Sequence, residues 1–323
     1  MNRFGKTFGV SIFGESHGLE IGVVLDGVPA GMDLAVEDFE GDLARRRSGA
    51  RGTTPRKESD TPRIVSGLFQ GHTTGAPLTI LFDNENTRSS DYDALRTHPR
   101  PSHADLVAMQ KWHGANDPRG GGHFSGRLTA PLVAAGVVAK RMLGEVHLQA
   151  TLIQVGGQDA SLSAQVVEQA MRDGDSVGGL IECRVQGLPV GLGEPFFDSA
   201  ESTIAHALFA VPAVRGVEFG SGFAAAAMRG SEHNDPIVNS SGATLTNHAG
   251  GVVGGITNGN ELIVRVAIKP TASISRAQMS YNFADGLLEE LRIKGRHDSC
   301  IALRASVVIE AAVAIALADL INR

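Results

Sequence analysis

Apolar side chains recur along this chain with two periods. Alternating or continuous apolar runs at residues 8–13, 21–25, 78–82, 151–155, 180–185 and 262–268, each bounded by Gly, Asn or Asp, predict β-strands. Spacing of three to four predicts helices at 36–47, 127–143, 164–172, 200–209, 284–293 and 305–321. The two kinds of element do not alternate in a βαβ rhythm, so the pattern favours an α+β fold with mainly antiparallel sheets over a doubly wound parallel sheet. A strand running into Gly27-Val-Pro-Ala-Gly31 and then a helix is echoed by a strand running into Gly187-Leu-Pro-Val-Gly191 and then a helix. Gly-x-Pro-x-Gly is also ordinary turn chemistry, so coincidence and two related halves both explain the echo. No Pro/Ser-rich linker divides the chain, and residues 1–323 read as one domain.

Composition narrows the class. The most apolar stretch, 305–321, carries Glu310 and Asp319 and is too short and too charged for a comfortable span, so it predicts a buried helix and no membrane partner. Residues 1–10 hold neither a long apolar run nor a small-residue cleavage site, and no secretory signal is read there. Cys183 and Cys300 sit in no metal-ligand spacing, which indicates neither a disulfide framework nor a structural metal and suits a reducing cytoplasm. The net charge is −6, yet seven of the 29 basic residues fall between Arg45 and Arg63. Such a local positive focus on an acidic protein suits a small polyanion better than a nucleic acid.

One segment stands out as a candidate site, Asp117-Pro-Arg-Gly-Gly-Gly-His-Phe-Ser-Gly-Arg127. Glycine reaches positive φ without steric cost, and Ser125 can cap the helix expected from Arg127. Loop amides, a helix N-terminus and two guanidiniums can therefore converge on one anion. A plain glycine-rich turn explains the run equally well when it is taken alone. Gly14-Glu-Ser-His-Gly18 matches the form of a hydrolase nucleophile elbow around Ser16, but a strand follows it where an elbow needs a helix. His17 is then the better candidate there, as an acid titrating near neutral pH. In Arg100-Pro-Ser-His-Ala-Asp105 the carboxylate can orient His103, and Gly295-Arg-His-Asp-Ser-Cys300 places Arg296, His297 and Asp298 in a loop expected between two helices. The turns at Lys269-Pro-Thr-Ala-Ser273 and Asn247-His-Ala-Gly-Gly-Val-Val-Gly-Gly255 can approach a phosphate or a flat ring, though neither is a dinucleotide fingerprint.

Taken in order along the whole chain, these segments resemble the chorismate synthase family. The match runs through Gly14–Gly18, Asp26-Gly-Val-Pro29, Arg45-Arg-Arg47, Arg51-Gly-Thr-Thr54, Asp91-Tyr92 and Arg100–Asp105. It continues through Arg119-Gly-Gly-Gly122, Gly193-Glu-Pro195, Asn247-His-Ala-Gly-Gly251, Lys269-Pro270 and Gly295-Arg-His-Asp298. The resemblance implies a β-α-β sandwich and a lyase that eliminates phosphate from 5-enolpyruvylshikimate-3-phosphate to give chorismate, the last step of the shikimate pathway. It implies a requirement for reduced FMN, with NAD(P)H or a separate flavin reductase as the outside source of electrons, and a homotetramer acting on a small molecule. By matching position, Arg45, Arg47, Arg51, Arg100 and Arg127 bind substrate or NADP, and Arg296 is a further clamp. His17 protonates the departing phosphate, His103 supports the charge of the reduced flavin, and Asp298 moves a proton near flavin N5. FMN is implied at His123, Phe124, Ser125, Pro212, Ala213, Gly254, Lys269, Pro270, Thr271, Ala272, Ser273 and Arg296. His123-Phe124 stands where many members carry Arg-Ser.

Two other classes make distinct predictions. A serine hydrolase predicts labelling of Ser16 by a fluorophosphonate, and a nucleic-acid or anion-binding module predicts salt-dependent RNA binding without flavin affinity. Neither explains the register of the remaining motifs.

Overall fold

Two five-stranded antiparallel sheets enclose a layer of helices. The computed structural model describes residues 2–56, 58–87, 94–293 and 297–322. In the first sheet the strand order is Arg3–Phe4, Gly9–Gly14, Glu20–Asp26, Leu78–Asp83, Arg63–Ser66. In the second it is Val214–Phe219, Leu262–Ile268, Gly179–Gln186, His147–Val155, Gln158–Asp159. Helices are α1 (Glu40–Arg46), α2 (Asp105–Lys111), α3 (Thr129–Leu143), α4 (Ser163–Arg172), α5 (Ala200–Phe209), α6 (Gly230–His233) and α7 (Ser306–Ile321).

The two sheets are built alike. Glu20–Asp26 lies between Gly9–Gly14 and Leu78–Asp83, and Gly179–Gln186 lies between His147–Val155 and Leu262–Ile268. Each of these central strands ends in a Gly-x-Pro-x-Gly turn and leads to a helix, α1 or α5. Gly27 and Gly187 take φ of 81° and 82°, and a Cβ on Gly27 would stand 1.9 Å from the Thr7 carbonyl oxygen, so the turn requires glycine. Each half then supplies one long apolar helix. α3 packs under the first sheet, α7 under the second, and the two pack on each other. α7 is apolar all round and buried from Val307 to Leu320, as a helix at the centre of a domain must be.

Two carboxylates are buried on α7, and both are bound. Glu310 accepts both Nη groups of Arg45, the Lys140 ammonium and the Ala150 N–H, joining α1, α3, α7 and the second sheet. Asp319 accepts the N–H groups of Lys6, Thr7 and Phe8, tying the helix end to the N-terminal segment. Among the described residues, no helix is long and apolar enough to cross a membrane.

Five of the six expected helices are present, and one is not. Residues 284–293 hold a strand, Leu287–Leu291, paired with Gln278–Asn282. Leu287, Leu288 and Leu291 imitate a helical stripe, but Gly286 at φ 73° closes a turn onto Asn282 and the partner strand decides the conformation. The Asp298 loop therefore follows a hairpin rather than a helix. The strands Arg63–Ser66 and Val214–Phe219 and the short α2 were not legible in the apolar pattern.

The helix crossing yields a test. Gly136 on α3 meets Ala311 on α7 so closely that an added Cβ would lie 2.3 Å from the Ala311 Cβ. Helix propensity favours alanine by about 1 kcal/mol, whereas overpacking a rigid crossing costs about 1–3 kcal/mol, so Gly136→Ala should be net destabilising. A lowered thermal midpoint is expected, and an unchanged or raised one would show that the crossing is soft.

Candidate active site

The triglycine loop is the centre of the site. Gly120, Gly121 and Gly122 take φ of 61°, 83° and 54°, a succession that L side chains do not adopt. The loop is seated on the Gly14–Gly18 turn, because Gly122 O accepts the Ser16 N–H at 3.1 Å and Gly14 O lies 2.8 Å from His123 Nδ1. Ser125 accepts the Arg127 N–H, capping the turn that leads into α3. A Cβ on Gly120 would stand 2.6 Å from the His17 ring, and one on Gly121 would stand 3.5 Å from the His103 ring. Adjacent glycines thus each carry one of the two candidate histidines.

The turn below the loop is a hairpin corner, not an elbow. Strand Gly9–Gly14 pairs directly with Glu20–Asp26 on its far side. Ser16 is fully buried, and its Oγ accepts from Arg56 Nη1 at 2.9 Å. A buried hydroxyl held by a guanidinium is a poor nucleophile, which removes the hydrolase alternative. Asn84 donates to Glu15 O and Gly18 O and accepts from Arg127 Nε, joining the turn to α3's N-terminal approach.

His103 sits in a charged cluster. Its Nδ1 is 2.6 Å from Asp105 Oδ1, and Arg100 forks the same carboxylate through Nε and Nη2 at 2.7 Å. An ionised carboxylate only accepts, so the contact to Asp105 directs the Nδ1 proton at its oxygen, and Nε2 is left on the side of Gly121. Burial pushes the His103 imidazole below its ordinary value, against the pull of Asp105. Asp105 is also disfavoured by burial, but the hydrogen bonds from Arg100 and His103 outweigh that and hold it well below the usual carboxylate range.

Beside the loop lies a cavity of about 980 Å³ between the two halves. Its wall includes Gly120, residues 123–125, Pro212, Ala213 and 269–273, along with Arg47, Arg100, His103, Arg127 and Asp298. Among the described residues, nine Lys or Arg side chains line it against three carboxylates, Glu58, Asp60 and Asp298. Deep in the wall, Asp60 receives both Arg46, at 2.8 Å, and Arg127, all three being nearly inaccessible. Two guanidiniums on one carboxylate leave a buried positive charge, which an anion in the cavity would satisfy. Asp298 is forked by Arg304 at 2.8 and 3.0 Å and accepts the Thr54 N–H at 3.0 Å.

Several expected residues lie elsewhere. Arg45 points into the helical layer at Glu310, and Arg51 is 75% exposed beside Glu168 on α4. Gly254 is in the turn between Val252–Val253 and Ile256–Thr257, outside the cavity wall. Arg296, Asp91 and Tyr92 fall outside the described residues. His17 is 9% exposed and touches the wall through Gly120. Arg127 lines the cavity but is committed to Asp60, Asn84 and the Asp83 carbonyl.

The model of the family described as Chorismate synthase matches residues 8–321. The chain belongs to the chorismate synthase family. It is 62% identical to the chorismate synthase of Chitinophaga pinensis over 99% of this chain and 96% of that protein. Against the chorismate synthase of Thermococcus kodakarensis it is 44% identical over 98% of this chain and 96% of that protein. A solved structure, "Crystal Structure of Chorismate Synthase", superposes with a TM-score of 0.75 at 27% identity, covering 98% of this chain and 92% of that one. The activity that goes with membership of the chorismate synthase family is the flavin-dependent lyase reaction giving chorismate.

Asp60 and Arg304 also line the cavity and had no role in the sequence reading, while Arg46 and Arg56 stood out there only as members of the Arg45–Arg63 basic cluster. Arg46 was recoverable, since it continues the buried stripe of Phe39 and Leu43 at helical spacing. Nothing local marks Arg304 or Asp60, which meet the site only through the tertiary fold.

The His103 environment predicts a pH signature. Because the folded value is lowered from 6.5, the unfolded chain binds a proton that the folded chain resists, and stability falls as pH drops below about 6.5. Asp105, also lowered, acts in the same direction but in a more acidic window, its contribution being lost only as pH falls below about 3.8. Chemical denaturation of the ligand-free protein should therefore lose less stability between about pH 7.5 and 5 in His103→Gln than in the parent. Parallel slopes would place the imidazole in an ordinary aqueous environment.

Proposed function

We propose that the cavity binds 5-enolpyruvylshikimate-3-phosphate together with reduced FMN, and that His17, His103 and Asp298 carry the proton chemistry of its phosphate elimination. The observation that carries this reading is the pair of histidines held against Gly120 and Gly121 at the wall of a cavity with surplus positive charge. Arg47 Nε and Thr271 Oγ1 are buried without a hydrogen-bond partner among the described residues, and both belong to that wall. Orphaned donors of this kind fit an anionic ligand rich in acceptors, as FMN and the substrate both are. Residues 123–125, Pro212, Ala213 and 269–273 would hold the flavin, and Arg47 a substrate anion.

Residues 123–125, Pro212, Ala213 and 269–273 would hold reduced FMN where it would supply electron density to ease departure of the allylic phosphate without net redox change. The chain's own residues do the rest. The Arg46–Asp60–Arg127 group gives the cavity a fixed positive wall. His17 donates a proton to the leaving phosphate, and His103, neutral at rest, gains a proton once an anion lies beside Nε2. Arg304 and the Thr54 N–H fix the Asp298 carboxylate in place as the proton carrier. NAD(P)H, directly or through a separate flavin reductase, is the proposed reductant. Phe196 and Phe197, 87% and 94% exposed, are surface that a homotetramer would cover, and two buried free thiols suit a cytoplasmic setting.

Anaerobic assay with photoreduced FMN tests the reading: phosphate release is expected with the flavin, and turnover with FMN omitted would contradict it. His17→Ala and His103→Ala should each lower kcat by roughly 10²-fold or more with thermal midpoints near the parent's. Only His103→Ala should change the spectrum of the bound reduced flavin. Arg47→Ala should raise KM at little cost in kcat, since its contact is made in ground and transition state alike.

A further inference from the structure

We propose that Arg215, paired with Lys269, is the phosphate anchor for the mononucleotide tail of the flavin at the mouth of the cavity. This rests on the flavin reading above and adds a residue to which that reading assigned no role. Val214 pairs with Ile268 and Gly216 with Ala267, so Arg215 is an extra residue in the ladder, a β-bulge. Bulges near sites re-aim side chains that a regular strand would point elsewhere. Ala213, just before it, is held at φ 75°, a conformation that residues with a side chain rarely take. The Lys269 N–H donates to Ala213 O at 2.9 Å, locking the end of the partner strand to this irregular backbone. Two departures from a plain ladder thus converge on one arginine, and Arg215 and Lys269 both line the cavity.

Their charges are uncompensated. Arg215 makes no hydrogen bond or ion pair among the described residues, and Lys269 Nζ has a carbonyl, Ser102 O at 2.7 Å, but no carboxylate. Other arginines on the same sheet differ. Arg184 holds Glu182 and Glu261, and Arg265 holds Glu182 and Glu218. Partial burial and the like charge of Arg215 together hold the Lys269 ammonium below its ordinary value. An anion between them reverses that repulsion. Arg215 is exposed, which suits a dianionic phosphate that keeps part of its hydration, and the same wall offers the apolar residues Leu132, Val308 and Ile315 to a flat ring.

Flavin fluorescence titration of the full chain with FMN and with riboflavin separates the outcomes. Arg215→Ala should weaken FMN binding roughly tenfold or more and leave riboflavin binding unchanged, with Arg215→Lys in between. Parent-like FMN affinity in Arg215→Ala overturns the proposal while the flavin reading stands. Equal weakening of FMN and riboflavin overturns it too, because the contact is then with the ring or the variant is misfolded. Absence of FMN binding by the unaltered chain overturns the flavin reading and the proposal together.

Discussion

Gly120 to Gly122 run at positive φ, and only that backbone lets a chain pass between two imidazoles at contact distance. The rings of His17 and His103 come from different parts of the first half, one from a hairpin corner and one from the approach to α2. Neither has a regular element beneath it. What fixes their separation is the loop, seated on Ser16 N–H and ended by the Ser125 cap that starts α3. Since α3 is in turn locked on α7 at Gly136, the spacing of the two histidines is referred to the helical layer that joins both halves.

Buried charge is the second organising feature. Asp60 with Arg46 and Arg127, and Glu310 with Arg45 and Lys140, are ionic groups that an apolar packing could replace with little loss of stability. Their value lies in placement. Arg45 and Arg46 are neighbours on α1, yet one is drawn into the helical layer and the other to the cavity wall. The Glu310 fork fixes the rotation of α1, and with it the direction of Arg46 and of Arg47 just past the helix end. Burial pulls the Arg46 guanidinium down to about 9 against the support of Asp60, and the like charges of Arg304 and Arg127 add to the pull.

Much of the fold was legible because its core elements obey simple periods. Leu262–Ile268 and Ala200–Phe209 fall where the apolar pattern puts them, and the Gly-x-Pro-x-Gly echo marks turns at matching places in two sheets of like order. The 284–293 segment misled because its leucines sit three and four apart, while the Asp285-Gly286 turn and the strand at 278–282 favour a hairpin. Of the site, the triglycine loop and the His103–Asp105 pair could be read from spacing alone. The partition of the arginines could not, since Arg45, Arg46, Arg51 and Arg56 differ only in which carboxylate or carbonyl the fold brings to each. Arg304 and Asp60 have no local signature at all.

The account's central claim is that Gly120 sets the position of His17, and turnover of Gly120→Ala tests it most directly. An added methyl would stand 2.6 Å from the imidazole and 2.8 Å from Ser16 Oγ, on a backbone at φ 61°. A displacement of about 1 Å at a proton donor costs roughly 10²-fold, so kcat should fall by that order while the folded protein still binds FMN. Parent-like kcat in a correctly folded Gly120→Ala would show that the loop does not place the histidine and would contradict the account.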